Sequence, residues 1–149
     1  MDASEIIDAL GLIPHPEGGW YAETWRHADG PEGRGHASAI YFLLVAGERS
    51  HWHRVKGAEM WHFYDGAPLE LWTAETDESR AELQVVGRDL LAGERPQVLV
   101  PPNWWQSASS RGDYTLVGCT VAPGFDFSEF ELAPEGWAPA PAPSASSET

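Results

Sequence analysis

Three side chains close together in the sequence carry the most chemistry: His51, His53 and Glu59. Two imidazoles and a carboxylate form a set suited to non-haem iron or a similar divalent ion, with coordination positions left open. His51 and His53 are two residues apart, so in a β-strand both rings face one way and Trp52 faces the other. Arg54, Lys56 and Gly57 read as a turn, and Glu59 to Tyr64 as a second strand. A hairpin of that kind would return the Glu59 carboxylate to the two imidazoles. The simpler alternative is that these residues line a pocket without holding an ion, because histidine is common on half-buried strands.

The elements that must position them read mostly as strands. Residues 4–12 form one short helix, with Ser4 as its cap, Ile6, Ile7 and Leu10 as its apolar face and Gly11 as its stop. His15 to Trp20, HPEGGW, is a turn by composition and leads into a β-rich run over 20–25. Residues 27–36 are a glycine-rich loop. Ser38 to Val45 is a near-continuous apolar run, as expected of a buried strand. Short strands follow over 68–73, 82–86, 96–100 and 114–121, with Trp104 to Ala108 after the Pro101-Pro102-Asn103 break. Many short strands separated by Gly and Pro turns, with no helices between them, indicate an all-β sandwich or barrel. From Pro134 the chain turns Pro/Ala/Ser-rich, so residues 1–133 are one domain and 134–149 a disordered tail.

The bulk numbers narrow the function. The chain has 149 residues, a formal charge of −14 and eight tryptophans. Lys56 is its one lysine, so nucleic acid and anionic membrane surfaces are poor partners. A surplus of large aromatics suits a pocket that encloses a small ligand. Cys119, the single cysteine, sits in an apolar run and reads as a small core residue. No apolar run approaches the length of a transmembrane helix, and the acidic start lacks a signal peptide's apolar core, so the expected compartment is the cytoplasm.

Gly47 to Gly66, GERSHWHRVKGAEMWHFYDG, resembles the first cupin motif, and Gly93 to Gln106 resembles the second, with Asn103 at a glycine position. Asn103 tolerates the left-handed backbone that a glycine would supply. HPEGGWYAET, SAIYFLL, SHWHRVKGAEMWHFYDG and LVGCTVAPGFDFSEFEL together resemble the DUF985 (cupin-5) family over about residues 6–132. The resemblance implies a cupin-type double-stranded jelly-roll β-barrel with a short N-terminal helix, and a homodimer. It implies no single reaction. Cupins with a full metal set carry histidine where Gln106 stands, so Gln106 is either a weak ligand and substrate contact, or a sign that the ion has been lost.

Three functions follow from this. The first is a metal-dependent enzyme, an oxygenase or isomerase, with iron, manganese, nickel or zinc on His51, His53 and Glu59 and a small polar, sugar-like or hydroxy-carbonyl substrate. The second resembles the metal-free epimerases of this fold, with His53 paired to Glu59 taking a proton and Tyr64 returning one. The third is a binding protein without turnover. Trp61, Phe63, Trp104 and Trp105 are candidate walls and serve equally as core, with Gln106 a substrate contact. His15 and Glu17 are within reach of the barrel mouth, but read mainly as surface or dimer contacts beside a turn shaped by Pro16, Gly18 and Gly19. His62 has the wrong parity to face the ligands. His27 and His36 read as solvated, and Asp126 and Glu129 as a barrel cap or a solvated edge.

Overall fold

A computed structural model describes residues 1–27 and 35–139. The chain opens with α1 (Ala3–Leu10) and continues through β1 (Ile13–Pro14), β2 (Trp20–Arg26), β3 (Ser38–Val45), β4 (Arg49–Arg54), β5 (Ala58–Gly66) and β6 (Leu69–Ala74). Then come β7 (Glu82–Val86), β8 (Gln97–Val100), β9 (Trp105–Ser110), β10 (Tyr114–Ala122) and β11 (Glu131–Leu132). Short 3-10 turns lie over Leu90–Ala92 and Phe127–Glu129. The strands form two antiparallel sheets, one ordered β1-β2-β3-β10-β5-β8 and the other β11-β4-β9-β6-β7. Among the described residues no helix is long and apolar enough to cross a membrane.

The sheets bury one shared core. Phe42, Leu44, Trp61, Val98, Val100, Val117 and Cys119 from the larger sheet meet Leu69, Leu71, Val86 and Ala108 from the smaller one. β3 is apolar almost throughout because its two faces are both covered. Phe42 and Leu44 point inward, whereas Leu43 packs under α1 with Ile6 and Leu12. Helix α1 is capped by Asp2 rather than Ser4. The Asp2 carboxylate accepts the Glu5 N–H at 3.0 Å, and the Glu5 carboxylate accepts the Asp2 N–H at 2.8 Å. Gly11 ends the helix in the left-handed conformation. Asn103 is the one non-glycine residue with positive φ, 66°, among the described residues, as its place in the motif implies.

The structure departs from the expected hairpin at the centre of the chain. β4 pairs with β9 and β11, and β5 pairs with β10 and β8. The chain therefore crosses from one sheet to the other between Arg54 and Ala58. His53 and Glu59 still meet, because both look into the space between the sheets.

Most of the tryptophans do not line that space. Trp52, Trp105, Trp72 and Trp137 cluster with Ala74, Ala81 and Ala133. Trp137 lies in the segment read from sequence as tail, yet its ring sits 4.4 Å from that of Trp105. The ordered chain thus runs past residue 133; residues 140–149, the rest of the expected tail, lie outside the described residues, as do 28–34 of the glycine-rich loop.

The HPEGGW turn folds tightly on itself. The Gly18 N–H donates to the His15 carbonyl at 3.0 Å, and the His15 N–H donates to the Gly19 carbonyl at 2.9 Å. Gly18 has φ 109°, and a Cβ there would strike the Arg49 carbonyl oxygen of β4. Gly18→Ala is therefore expected to destabilise the protein by about 2 kcal/mol or more, from left-handed strain plus overpacking. Thermal unfolding checks this, with a midpoint lowered by roughly 4–8 °C.

Candidate functional site

A bulge in β4 builds the site. Ser50 pairs with Ala108 and His53 with Gln106, so three steps along β4 match two along β9. The extra residue breaks the two-residue parity. Ser50 and His53 both turn inward, and the His51 N–H, freed from the ladder, donates to the Glu17 carbonyl at 2.7 Å. The HPEGGW turn is thereby docked on the bulge, and its side chains enter the space between the sheets. His15 and Glu17, read from sequence as surface or dimer contacts, are both buried.

The cavity between the sheets has a volume of about 580 Å³, within the usual range for a small-molecule site. Its buried lining includes His15, Glu17, Phe42, His53, Glu59, Trp61 and Cys119. Its more exposed lining, Glu23, Arg26, Asp126 and Phe127, marks the mouth. Phe125, Phe127 and Phe130 pack edge to face there, with Phe125 and Phe127 4.6 Å apart.

Glu17 is the hub. One of its carboxyl oxygens, Oε2, accepts the Ser50 hydroxyl in a short hydrogen bond. The other, Oε1, lies 3.3 Å from His53 Nε2 and 3.4 Å from His15 Nδ1. Both of those nitrogens are lone pairs in the neutral rings. His53 Nδ1 sits 2.7 Å from the His51 carbonyl, which can only accept, so its proton is on Nδ1. His15 Nδ1 accepts the Glu17 N–H at 3.1 Å, so its proton is on Nε2. A carboxylate facing two lone pairs is repelled, so a proton belongs at this junction, either on Glu17 Oε1 or shared with His53 Nε2. The titration directions agree. Burial pushes the Glu17 carboxyl up to about 8, against some relief from Ser50. Burial, aided by the neighbouring His53, pushes His15 down to about 4, and burial also lowers His53.

Glu59 belongs to a second chain of hydrogen bonds. The Gln106 side-chain N–H donates to Glu59 Oε1 at 2.8 Å, and the Trp61 indole N–H donates to Gln106 Oε1 at 2.8 Å. Cys119 also bonds to Glu59, and burial raises both the thiol and the carboxyl. Gln106 is fully buried, and both ends of its amide are taken by the protein.

The sequence set His51, His53 and Glu59 around one ion. The structure brings His53 and Glu59 to the cavity and turns His51 away, because the bulge reverses its direction. The His51 Nε2–H donates to the Pro134 carbonyl at 2.9 Å. Among the described residues no three His, Cys, Asp or Glu side chains converge as a metal site. With His51 committed elsewhere and Gln106 held by Trp61 and Glu59, the expected set of His51, His53 and Glu59 does not form.

The other candidates divide. Trp61 lines the cavity, whereas Phe63 and Trp104 pack against the core and Trp105 joins the outer tryptophan cluster. Tyr64, the expected proton donor, is half exposed; on the outer face it stacks against His62 and meets Tyr41 edge to face. Strand parity sends it there, since Glu59, Trp61 and Phe63 take the inner positions. His62 faces outward as expected and meets Thr120. His27 and His36 are exposed, with rings 4.9 Å apart. Asp126 caps the Phe127–Glu129 turn through the Ser128 N–H.

Glu17 carries a linkage of definite sign. Its proton is held in the fold up to about pH 8, while the unfolded chain releases it near the ordinary value of 4.5. Between those values the folded state holds more protons, so its stabilising contribution is full below 4.5 and fades as pH rises to 8. His15 acts in the opposite sense, losing stability as pH falls from 6.5 through 4. Glu17→Gln removes only the first effect. Relative to this variant, the wild type is expected to lose stability from pH 5 to 8, as read by denaturant midpoints across that range.

Comparison with known proteins bears on the fold and the family. A Shewanella oneidensis protein solved by X-ray crystallography is 41% identical, with a TM-score of 0.84 over 89% of this chain and 85% of that one. A hypothetical protein from Leishmania major is 34% identical, with a TM-score of 0.81 over 89% and 88%. A Bacillus subtilis oxalate decarboxylase variant, 15% identical with a TM-score of 0.62 over 80% of this chain and 29% of that one, shares the fold alone. No curated protein matches the sequence. Residues 4–133 match the family described as Cupin superfamily (DUF985), and the chain belongs to that family.

Proposed function

We propose that the cavity binds a small, neutral, sugar-like or hydroxy-carbonyl molecule and moves a proton at the carbon next to its carbonyl. The observation that carries this reading is the junction at Glu17 Oε1, where two lone-pair nitrogens fix a proton inside a ligand-sized cavity. The Glu17–His53 pair is the proton donor. Glu59 is the acceptor. Its burial raises its basicity, and the Gln106 N–H stabilises its ionised form. Removal of the α-proton by Glu59 leaves an enolate, the Glu17–His53 pair returns a proton to that carbon to complete an epimerisation, and proton exchange with solvent resets both groups. Atoms balance with no co-reactant.

The metal-dependent reading has less support from the donor set, as His51 and Gln106 are both committed elsewhere. The reading as a binding protein without turnover shares the cavity and differs only in the absence of proton transfer.

The test is exchange of the α-protons of 4-hydroxycyclohexanone for deuterium in D2O, followed by NMR. Wild-type protein is expected to accelerate exchange, and Glu59→Gln and His53→Asn each to reduce it by roughly a hundredfold. Binding of the ketone with no exchange above background would leave the pure binding reading in its place.

A homodimer, implied by the resemblance, is proposed on the same footing. Met60 pairs with Leu99 across β5 and β8, and Leu99 and Tyr64 are each about half exposed, which gives an apolar outer face. Sedimentation is expected to show a dimer for the wild type and a shift towards monomer for Leu99→Glu.

A further inference from the structure

We propose that His15 is the ligand's oxygen anchor: its Nε2–H donates to a neutral carbonyl oxygen of the bound molecule, and the cavity selects against carboxylates and phosphates. This deepens the proton-transfer reading and rests on it only for where the ligand sits.

His15 comes from the HPEGGW turn, outside the stretches that resemble cupin motifs, and its side chain is only 5% exposed. Its Nδ1 edge is used, since it accepts the Glu17 N–H at 3.1 Å. A neutral imidazole with that tautomer carries its proton on Nε2, the opposite edge. No protein oxygen among the described residues accepts from it. Tyr21, Phe42, Phe127 and Phe130 surround the ring at centroid distances of 4.6 to 6.0 Å. Ring faces are weaker acceptors than a carbonyl oxygen. A buried donor left without a strong acceptor is uncommon in a folded protein, and here it belongs to a side chain that lines the cavity.

The charge of the ligand follows from what else lines the cavity. Two carboxyls, Glu17 and Glu59, are buried in it. Among the described lining residues the one Lys or Arg is Arg26, at the mouth, where its guanidinium meets the Glu23 carboxylate at 2.7 Å. An anion at His15 would therefore be buried in the same cavity as the Glu59 carboxylate, with no buried Lys or Arg among the described lining residues to offset it. A neutral carbonyl meets no such penalty, and the neutral imidazole acts on it as an electrophile. As the α-proton leaves, negative charge grows on the carbonyl oxygen and the Nε2–H bond to it strengthens. Phe125 and Phe127 at the mouth cover the apolar part of the molecule.

The test uses full-length protein labelled with 15N-histidine and three probes: 4-hydroxycyclohexanone, 1,4-cyclohexanediol and 4-hydroxycyclohexanecarboxylate. His15→Gln, which keeps an N–H near the Nε2 position, assigns the His15 signal. The ketone is expected to shift the His15 Nε2–H signal downfield. His15→Phe is expected to weaken ketone binding by about three- to tenfold, with His15→Gln recovering most of the loss. The carboxylate is expected to bind at least about tenfold more weakly than the ketone. An Nε2–H signal that stays in place up to the solubility limit of the ketone overturns the proposal. So does a His15→Phe variant that binds the ketone as tightly as wild type, or a carboxylate that binds more tightly than the ketone. The signal is read on wild-type protein and assigned with His15→Gln, so a poorly folded His15→Phe does not blur the outcome. A shifted signal without deuterium exchange sinks the acid–base reading and keeps the anchor, and exchange with an unmoved signal does the reverse.

Discussion

The structure depends most on one backbone hydrogen bond, from the His51 N–H to the Glu17 carbonyl. A bulged strand frees a buried N–H that has no partner in its own sheet, and a buried donor must find an acceptor. The HPEGGW turn supplies that acceptor. Once the turn is docked, Gly18 has no room for a side chain against Arg49, and Glu17 has no direction but inward. The side-chain bonds from Ser50 and His53 then follow from backbone geometry. The bulge thus does two things: it gives β4 its second inward polar residue, and it fixes a segment from the other sheet at that place.

The fold was largely legible in the sequence because its signals are local. The apolar run at 38–45, the short strand over 68–73 and the break at Pro101 each identify their element within a few residues. The cavity was legible through His53, Glu59 and Trp61, which sit on the inner faces of ordinary strands. His51 was misplaced because a one-residue bulge reverses every orientation inferred from two-residue parity, and this bulge is stabilised by a contact more than thirty residues away in sequence. His15 and Glu17 were read as surface for the same reason. Two titratable residues flanking a proline, ahead of a glycine pair, were the available signal, but only the docking shows which way they point. The tryptophan surplus also misled: Trp52, Trp72 and Trp105 of the smaller sheet cluster with Trp137 instead of lining the cavity, and hold that segment against the sheet.

Burying two carboxyls and two imidazoles between apolar sheets is unfavourable unless their hydrogen bonds close. They do so in two separate chains. One runs from Ser50 through Glu17 to His53 and the His51 carbonyl. The other runs from Trp61 through Gln106 to Glu59. The second chain joins β5 to β9 across the two sheets and the first ties the β1–β2 turn to β4, so the polar groups that suit the cavity to proton chemistry also tie its walls together. His15 Nε2 is the donor that neither chain closes.

The double commitment of Gln106 bears on how such a site can change over evolutionary time. A histidine at this position that held an ion through one ring nitrogen would have only the other left for Trp61 or Glu59, which Gln106 now serves together, while His51 would still point at Pro134. No single substitution leads from this arrangement to a four-ligand metal centre. Position 106 and the β4 bulge, with the turn docked on it, would have to change together. The pocket is in that sense epistatically locked, and its chemistry can drift by changes at the rim far more readily than by changes at its floor.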